Sequence, residues 1–412
     1  MYSRLADYLA NKYRIDAHYF LKGGFWLSIA QIITVGFGIV STALFAHFLS
    51  EQDYGLYRYL ISISVILASF SLTGLGQSVL QATAQKFLNF YRETLGINFL
   101  FSLLITISAL IGTGYYWLNG NSTLAIGCLM VAVLQPFITT FQNTQHYLQG
   151  AQQYRKSTTL HTIRIIITTI LSVGVLFITK DILVLFLFYL LGLLLANIYG
   201  HICYSPKEEA PTPSKNLQRY IRYAKHTSFR SAIGNVAQRA DAIIVFTQLG
   251  AAELALYSIA TVVPEQIKGS VKNLASLLLP KYAKHSDQTQ ILNSAPKRAT
   301  QLFVILLIIT ALFIIAVPTV YHIIFPKYTE AIFLSQVLAL SFPAMIAIIP
   351  VSALQSKMEE KKLYRAQIIE SILLVTLTTA LTIYLGVIGA IIAKIATRYF
   401  TLAYNFYLLY RR

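Results

Sequence analysis

Ten ionisable side chains stand inside stretches that are otherwise apolar. Seven are cations: Arg164, Arg230, Arg239, Lys268, Lys272, Lys394 and Arg398. Three are anions: Asp241, Glu265 and Glu370. An ionisable group within hydrocarbon costs roughly 2.5–3.5 kcal/mol on insertion scales and tends to mark a pathway. The positive surplus of four has no internal counter-charge, so an anion or water must meet it. That is binding chemistry, with arginine the better partner for phosphate because its fork donates two parallel hydrogen bonds.

Spacing sharpens the set. Glu265, Lys268 and Lys272 stand at i, i+3 and i+7, which is one helical face. Lys394 and Arg398 stand at i, i+4, where like charges repel. An anion bridging the two would remove the conflict, because no acid lies near them in sequence. Asp241 and Glu265 have two readings: they neutralise Arg239 and Lys268 between neighbouring helices, or they carry a coupling proton. Helical rise puts Arg239 about 15 Å below the end of its span, and Glu265 and Lys268 at about 17–21 Å. Arg398 has a similar middle depth, and Arg164 and Glu370 lie about 10 Å in from the opposite side. Arg230 and Lys272 fall near an edge, where a long side chain can reach water. Gln77 and Gln81, with Gln85, share a helical face after Gly74 and Gly76, and their amides suit either sugar hydroxyls or helix–helix contact. The expected binding residues are therefore Arg239, Lys268, Lys394, Arg398, Arg164, Lys272, Gln77 and Gln81.

Reaction chemistry finds no support. There is no Walker loop and no His, Cys and carboxylate cluster at ligand spacing. We therefore expect no catalytic residue, metal or cofactor. His47, His146, His161 and His322 are scattered, and Cys128 and Cys203 suggest neither disulfide nor zinc site.

The elements that must carry these groups are apolar runs. Of 412 residues, 56% are hydrophobic and 12% charged, about half the charge of a soluble domain. A bilayer crossing takes about 20 apolar residues. About twelve spans are expected, near 24–49, 58–82, 94–118, 123–148, 157–179, 182–203, 221–249, 254–280, 299–324, 329–353, 363–385 and 387–409. With the first residue inside, the inner segments hold 23 Lys and Arg, while the outer ones hold only Arg58, Lys180 and Lys327. This split places both ends in the cytoplasm. It also explains the net charge of +17 by topology, without a nucleic-acid patch. No cleavable leader is expected, because the first apolar run is too long for one. Pro136, Pro264, Pro318, Pro343 and Pro350 interrupt spans as candidate hinges.

The Pro- and Ser-containing stretch 204–220 reads as a cytoplasmic linker. It divides the chain into a six-helix N-terminal lobe, 1–203, and a six-helix C-terminal lobe, 221–412. The segments Phe48–Tyr57 and Gln248–Tyr257 align at an offset of 200, matching Leu49 with Leu249, Leu56 with Leu256 and Tyr57 with Tyr257. Paired six-helix repeats are a common transporter plan, with substrate handled between them.

Three segments carry a resemblance: LSEQDYGLYRYL (49–60), GLGQSVLQATAQ (74–85) and RADAIIVFTQLGAAELALYSIA (239–260). With twelve spans in two halves, the whole chain resembles the polysaccharide-exporter branch of the multidrug/oligosaccharidyl-lipid/polysaccharide superfamily. Within that branch it is most similar to Wzx-type O-antigen flippases. The resemblance implies an all-α, MATE-like integral membrane protein of the bacterial inner membrane. It implies a cationic cavity and alternating access for undecaprenyl-pyrophosphate-linked oligosaccharide, together with association with polysaccharide polymerase machinery. Arg239 and Asp241 fall inside the matching motif. The alternative is a cation-coupled drug exporter of the same superfamily, which typically needs an acid in the first-half cavity. Span 24–49 contains no Asp or Glu, and the positive surplus repels cationic drugs. A membrane-bound glycan polymerase is disfavoured by the short outer loops.

Overall fold

The computed structural model describes residues 17–87, 89–206, 217–276, 288–356 and 359–411. Among these, every regular element is helical. The expected linker at 204–220 lies mostly outside the described residues, as does the end of the span expected at 254–280.

Helix α1 is Ala17–Phe48 and α2 is Glu51–Ala68. Ser50 starts α2 as its N-cap, accepting from the Asp53 amide at 3.1 Å, with Glu51 and Asp53 in the first turn. Such caps satisfy amides that would otherwise be orphaned at a helix start. The expected span 58–82 therefore begins earlier and is not continuous. It breaks after Ala68 and resumes as α3, Leu75–Ala84. A short α4, Phe90–Glu93, leads into α5, Leu95–Leu118. Then come α6, Ser122–Phe141, α7, Thr144–Gly150, α8, Tyr154–Leu176, and α9, Ile182–Tyr204. Asn121 caps α6 and Asp181 caps α9, so the turns between these helices are short.

The second half opens with α10, Leu217–Leu249, and α11, Ala251–Ser276. Starts at Glu51 and Ala251 keep the offset of 200 seen in sequence. Helix α12, Gln288–Ile324, is followed by α13, Glu330–Ala339, a 3-10 turn, Phe342–Ala347, and α14, Ile348–Ser356. Pro343 has no amide hydrogen to donate, so the helical ladder tightens at that turn. Pro136 and Pro264, by contrast, stay inside continuous helices. The last stretch, α15, Glu360–Tyr410, doubles back at Gly386, whose φ is 62°. Only glycine adopts that conformation without strain, and a side chain at Gly389 would strike the Leu381 carbonyl of the preceding arm. Among the described residues the chain thus makes twelve passes.

Eight helical stretches are long and apolar enough to cross a membrane. Their outward faces show large apolar side chains such as Ile111, Ile202, Ile315 and Ile383, which suit lipid. Helices α2, α3, α10 and α11 do not reach that standard. Helix α2 packs most on α11 and then α10, whereas α10 packs most on α15, and α3 on α7 before α10. Polar groups of these helices such as Ser62, Asp241 and Thr261 are buried inside the protein.

Two seams join these helices. Near the ends of α1 and α10, a side chain at Gly55 would strike the Ala251 carbonyl, and Tyr59 stacks on Phe246 at 3.7 Å. Close backbone approach through glycine is how helices gain contact where lipid supplies no hydrophobic drive. At the end carrying the basic loops, the Gly74 amide donates to Ser228 Oγ at 2.8 Å. There Ser78 also donates to the Tyr220 carbonyl at 3.1 Å.

Candidate functional site

Between the seams lies a polar chamber of about 460 Å3. Helix α1 lines it with Gly38, Ser41 and Thr42, and α2 with Arg58 and Ser62. Arg239 and Asp241 come from α10, Tyr257, Glu265 and Lys268 from α11, and Glu370, Lys394 and Arg398 from α15. Helical period explains the convergence. Lys394 and Arg398 are one turn apart on α15, and Glu265 and Lys268 are one turn apart on the facing side of α11.

Carboxylates tie most of the cations together. Lys394 Nζ lies 2.9 Å from Asp241 Oδ2 and 3.2 Å from Glu265 Oε1. Arg398 pairs with the same Glu265 oxygen and donates to Ser341 Oγ at 2.6 Å. Lys268 is 3.5 Å from the other Glu265 oxygen. The Tyr257 hydroxyl donates to Asp241 Oδ2 at 2.6 Å, and Lys394 donates to the Tyr257 oxygen at 3.1 Å. The second Asp241 oxygen accepts from the Ala242 amide at 2.7 Å.

This corrects one expectation. Lys394 and Arg398 do not await an external anion, because Glu265, 133 residues before Arg398, bridges them. Sequence distance hid that carboxylate. The alternative pairing is also redrawn: Asp241 neutralises Lys394, whereas no ion pair joins it to Arg239 among the described residues.

Arg239 and Arg58 differ from the rest. Both line the chamber, and neither side chain makes an ion pair or hydrogen bond among the described residues. Arg58 corrects a second expectation, since it is not in an outer loop but two turns inside α2. The signal that would have found it is the Ser50 cap, which starts the helix at Glu51 and puts Arg58 about 10 Å deep.

The other expected residues lie elsewhere. Gln77 and Gln81 are exposed on α3 and line no chamber wall. Gln81 donates to the Tyr223 hydroxyl at 3.0 Å across the seam with α10, and Gln85 accepts from the Tyr220 hydroxyl there. Arg164 sits on α8 and is absent from the chamber lining. The Lys272 side chain lies outside the described ones. Arg230 belongs to a separate groove of about 920 Å3 at the basic end, between α10 and α15, with Lys225, Lys361 and Arg365. A recess of about 350 Å3, walled by Met345, Ile348 and Val351, adjoins the chamber through Lys268, Glu370 and Arg398.

No curated protein matches the sequence. Solved structures do, over nearly the whole chain. The lipid II flippase MurJ in an inward closed conformation aligns with a TM-score of 0.68 at 14% identity, covering 93% of this chain and 87% of that one. An inward-facing multidrug resistance MATE family transporter of the MOP superfamily aligns with a TM-score of 0.68 at 13% identity, covering 94% and 97%. A MOP superfamily transporter from Pyrococcus furiosus, described as having a binding pocket of reversed polarity, gives a TM-score of 0.59 at 11% identity, covering 94% of both chains. The fold is that of MOP-superfamily transporters, a multi-pass membrane architecture. Residues 20–284 match the family model for polysaccharide biosynthesis proteins, and with more than half of its length inside that match the chain belongs to the polysaccharide biosynthesis protein family.

Proposed function

We propose that this protein is a flippase that carries undecaprenyl-pyrophosphate-linked oligosaccharide from the cytoplasmic to the periplasmic leaflet of a bacterial inner membrane. The observation that carries the reading is the pair Arg58 and Arg239, two guanidinium groups in one chamber that form no ion pair with a carboxylate among the described residues. Around the whole chamber five cations face three carboxylates, leaving a formal surplus of +2. A pyrophosphate bridging lipid and sugar carries about one negative charge on each phosphate, which matches that surplus. A cationic drug would meet net repulsion in the same place. The volume of about 460 Å3 lies within the roughly 300–1,000 Å3 of ordinary ligand pockets. It suits a headgroup and its first sugars, while the polyprenyl tail stays in lipid.

Family membership in polysaccharide biosynthesis supports the glycan class. The fold match to a lipid II flippase supports a lipid-linked headgroup. In this reading lobes 1–203 and 221–412 rock against each other across the α2–α11 and α3–α10 seams, exposing the chamber to each side in turn. No covalent step is required, and the protein's work is to replace the hydration of the pyrophosphate. Half-buried arginines facing the chamber do this with charge-assisted hydrogen bonds.

The test is translocation of a fluorescent polyprenyl-pyrophosphate-linked oligosaccharide in proteoliposomes. Arg58→Gln and Arg239→Gln should each slow it at least about tenfold, the worth of one charge-assisted hydrogen bond, with insertion unchanged. Wild-type rates in both variants would defeat the proposal.

A further inference from the structure

Arg58 and Arg239 also line a second recess, of about 230 Å3, that continues from the chamber into the first half of the chain. Its walls come from α1, α2, α8 and α9, and hydroxyls dominate them: Ser41, Thr42, Thr168, Thr169, Ser172 and Tyr189. Among the described residues no Asp, Glu or Lys lines it. Hydroxyls collected around empty space are unusual in a bundle built to sit in lipid, where serine and threonine normally bond back to their own helix or across to a neighbour. Ser172 does bond back, donating to the Thr168 carbonyl at 2.7 Å, and Ser41 donates to the Gly38 carbonyl at 3.1 Å. Both hydroxyl oxygens keep lone pairs to accept with. Thr168 Oγ1 is buried and has no partner among the described residues. An unpaired buried hydroxyl costs about 1–3 kcal/mol, and a turn of the Thr168 side chain into the recess it lines would let a ligand relieve that penalty.

We propose that this recess holds the sugar attached directly to the pyrophosphate, and that Thr168 and Thr169 read its hydroxyls. The inference rests on the flippase reading. Geometry gives the order of the groups. The two arginines are common to the chamber and the recess, so a pyrophosphate on them has its lipid ester on one side and its first sugar on the other. The recess has room for about one pyranose ring and not for a repeat unit. Its aromatic floor is rigid, because Phe45 stacks on Tyr57 at 4.7 Å and Tyr57 meets Tyr189 edge-on at 6.4 Å. A fixed floor and mixed donors and acceptors select among sugars by the hydroxyls they present. A site built to pair a hydroxyl rejects an analogue that lacks it.

The experiment measures binding of two short-chain probes to the full-length protein in nanodiscs: a bare prenyl pyrophosphate and the same prenyl pyrophosphate bearing a single hexosamine. Wild type should bind the sugar-bearing probe at least about tenfold more tightly, as expected for one or two hydrogen bonds. Thr168→Val with Thr169→Val keeps the shape and removes both hydroxyls. It should shrink that ratio to about twofold or less and leave the bare probe's affinity unchanged. Ser41→Ala, on a different helix, gives an independent narrowing should the double variant fold poorly. A ratio unchanged in both variants, with bare-probe binding intact, overturns the sugar recess and leaves the flippase reading standing. A ratio near one in the wild type does the same. Failure of both probes to bind wild type removes the flippase reading itself.

Discussion

Around the chamber Glu265 touches Lys268, Lys394 and Arg398, whereas among the described residues Arg58 and Arg239 form no ion pair with a carboxylate. The first group belongs wholly to α11 and α15, with Asp241 and Tyr257 completing it. The second joins α2 to α10, on opposite sides of the α2–α10 packing. Charges removed from water are costly unless paired. The paired set has met that cost within the protein and behaves as structure. The unpaired arginines have not, and only an incoming anion or water can meet it. The difference separates groups that hold the chamber's shape from groups that wait for a ligand.

Breaking the paired set should therefore injure folding first. Glu265→Ala leaves Arg398 without its carboxylate and takes one partner each from Lys268 and Lys394. Removing one side of a buried pair costs roughly 3–5 kcal/mol, and the chamber-facing position of Glu265 puts the effect near the lower end. Equilibrium unfolding in mixed micelles should show the loss, with Glu265→Gln intermediate. Arg58→Gln and Arg239→Gln should leave the same unfolding midpoint in place or raise it slightly, because a repulsion is removed. A large loss of stability in the arginine variants would erase the distinction.

Ligand addition sharpens the contrast next. A prenyl pyrophosphate at a hundred times its dissociation constant should stabilise wild type by about 2.7 kcal/mol. The double variant Arg58→Gln with Arg239→Gln should show almost none of this, as read by the shift of the thermal midpoint. An equal shift in wild type and double variant would place the anion elsewhere, for instance in the basic groove of Lys225, Arg230, Lys361 and Arg365.

The paired set also predicts a smaller effect inside its own network. Tyr257→Phe removes a donor to Asp241 at 2.6 Å and an acceptor for Lys394 at 3.1 Å. Hydrogen bonds to charged groups are worth roughly 1.5–3 kcal/mol, and the ring's packing is retained. Unfolding should shift by about that amount, while binding of the bare prenyl pyrophosphate changes little. If binding fell as far as it does in Arg239→Gln, Tyr257 would belong with the ligand-facing group.

How far this was legible beforehand depended on range. Apolar runs and basic loops act locally, so the spans were readable, and the split at Gly386 fell where the helix doubles back. Depth counting brought Arg239, Glu265, Lys268 and Arg398 to similar levels, and all four line one chamber together with Asp241 and Lys394. Which cation meets which acid depends on helix packing, and Glu265 reaches Arg398 over 133 positions with no local trace. Arg58 was misplaced because an apolar window opens only after Glu51 and Asp53, although the cap motif marks the true start. Gln77 and Gln81 share a face, but whether it meets a cavity or another helix is decided by α10, which takes it as a seam.

The smallest expected effect tests whether the paired set is one unit or two. Arg398 donates to Ser341 Oγ at 2.6 Å, and Ser341 stands just ahead of the 3-10 turn Phe342–Ala347. That hydrogen bond ties the chamber to the break between α13 and α14. The Ser341 hydroxyl itself donates to the Leu338 carbonyl at 2.7 Å, so it is fixed in place to receive the guanidinium. Ser341→Ala removes the acceptor while Glu265 still holds Arg398, so the stability loss should be only about 1 kcal/mol. Translocation should slow more than that loss explains if the turn moves with the chamber's charge network, and the two changes should scale together if it does not. Measuring rate and unfolding on the same preparation decides between a set that merely fills the chamber wall and one that couples the wall to the helix break.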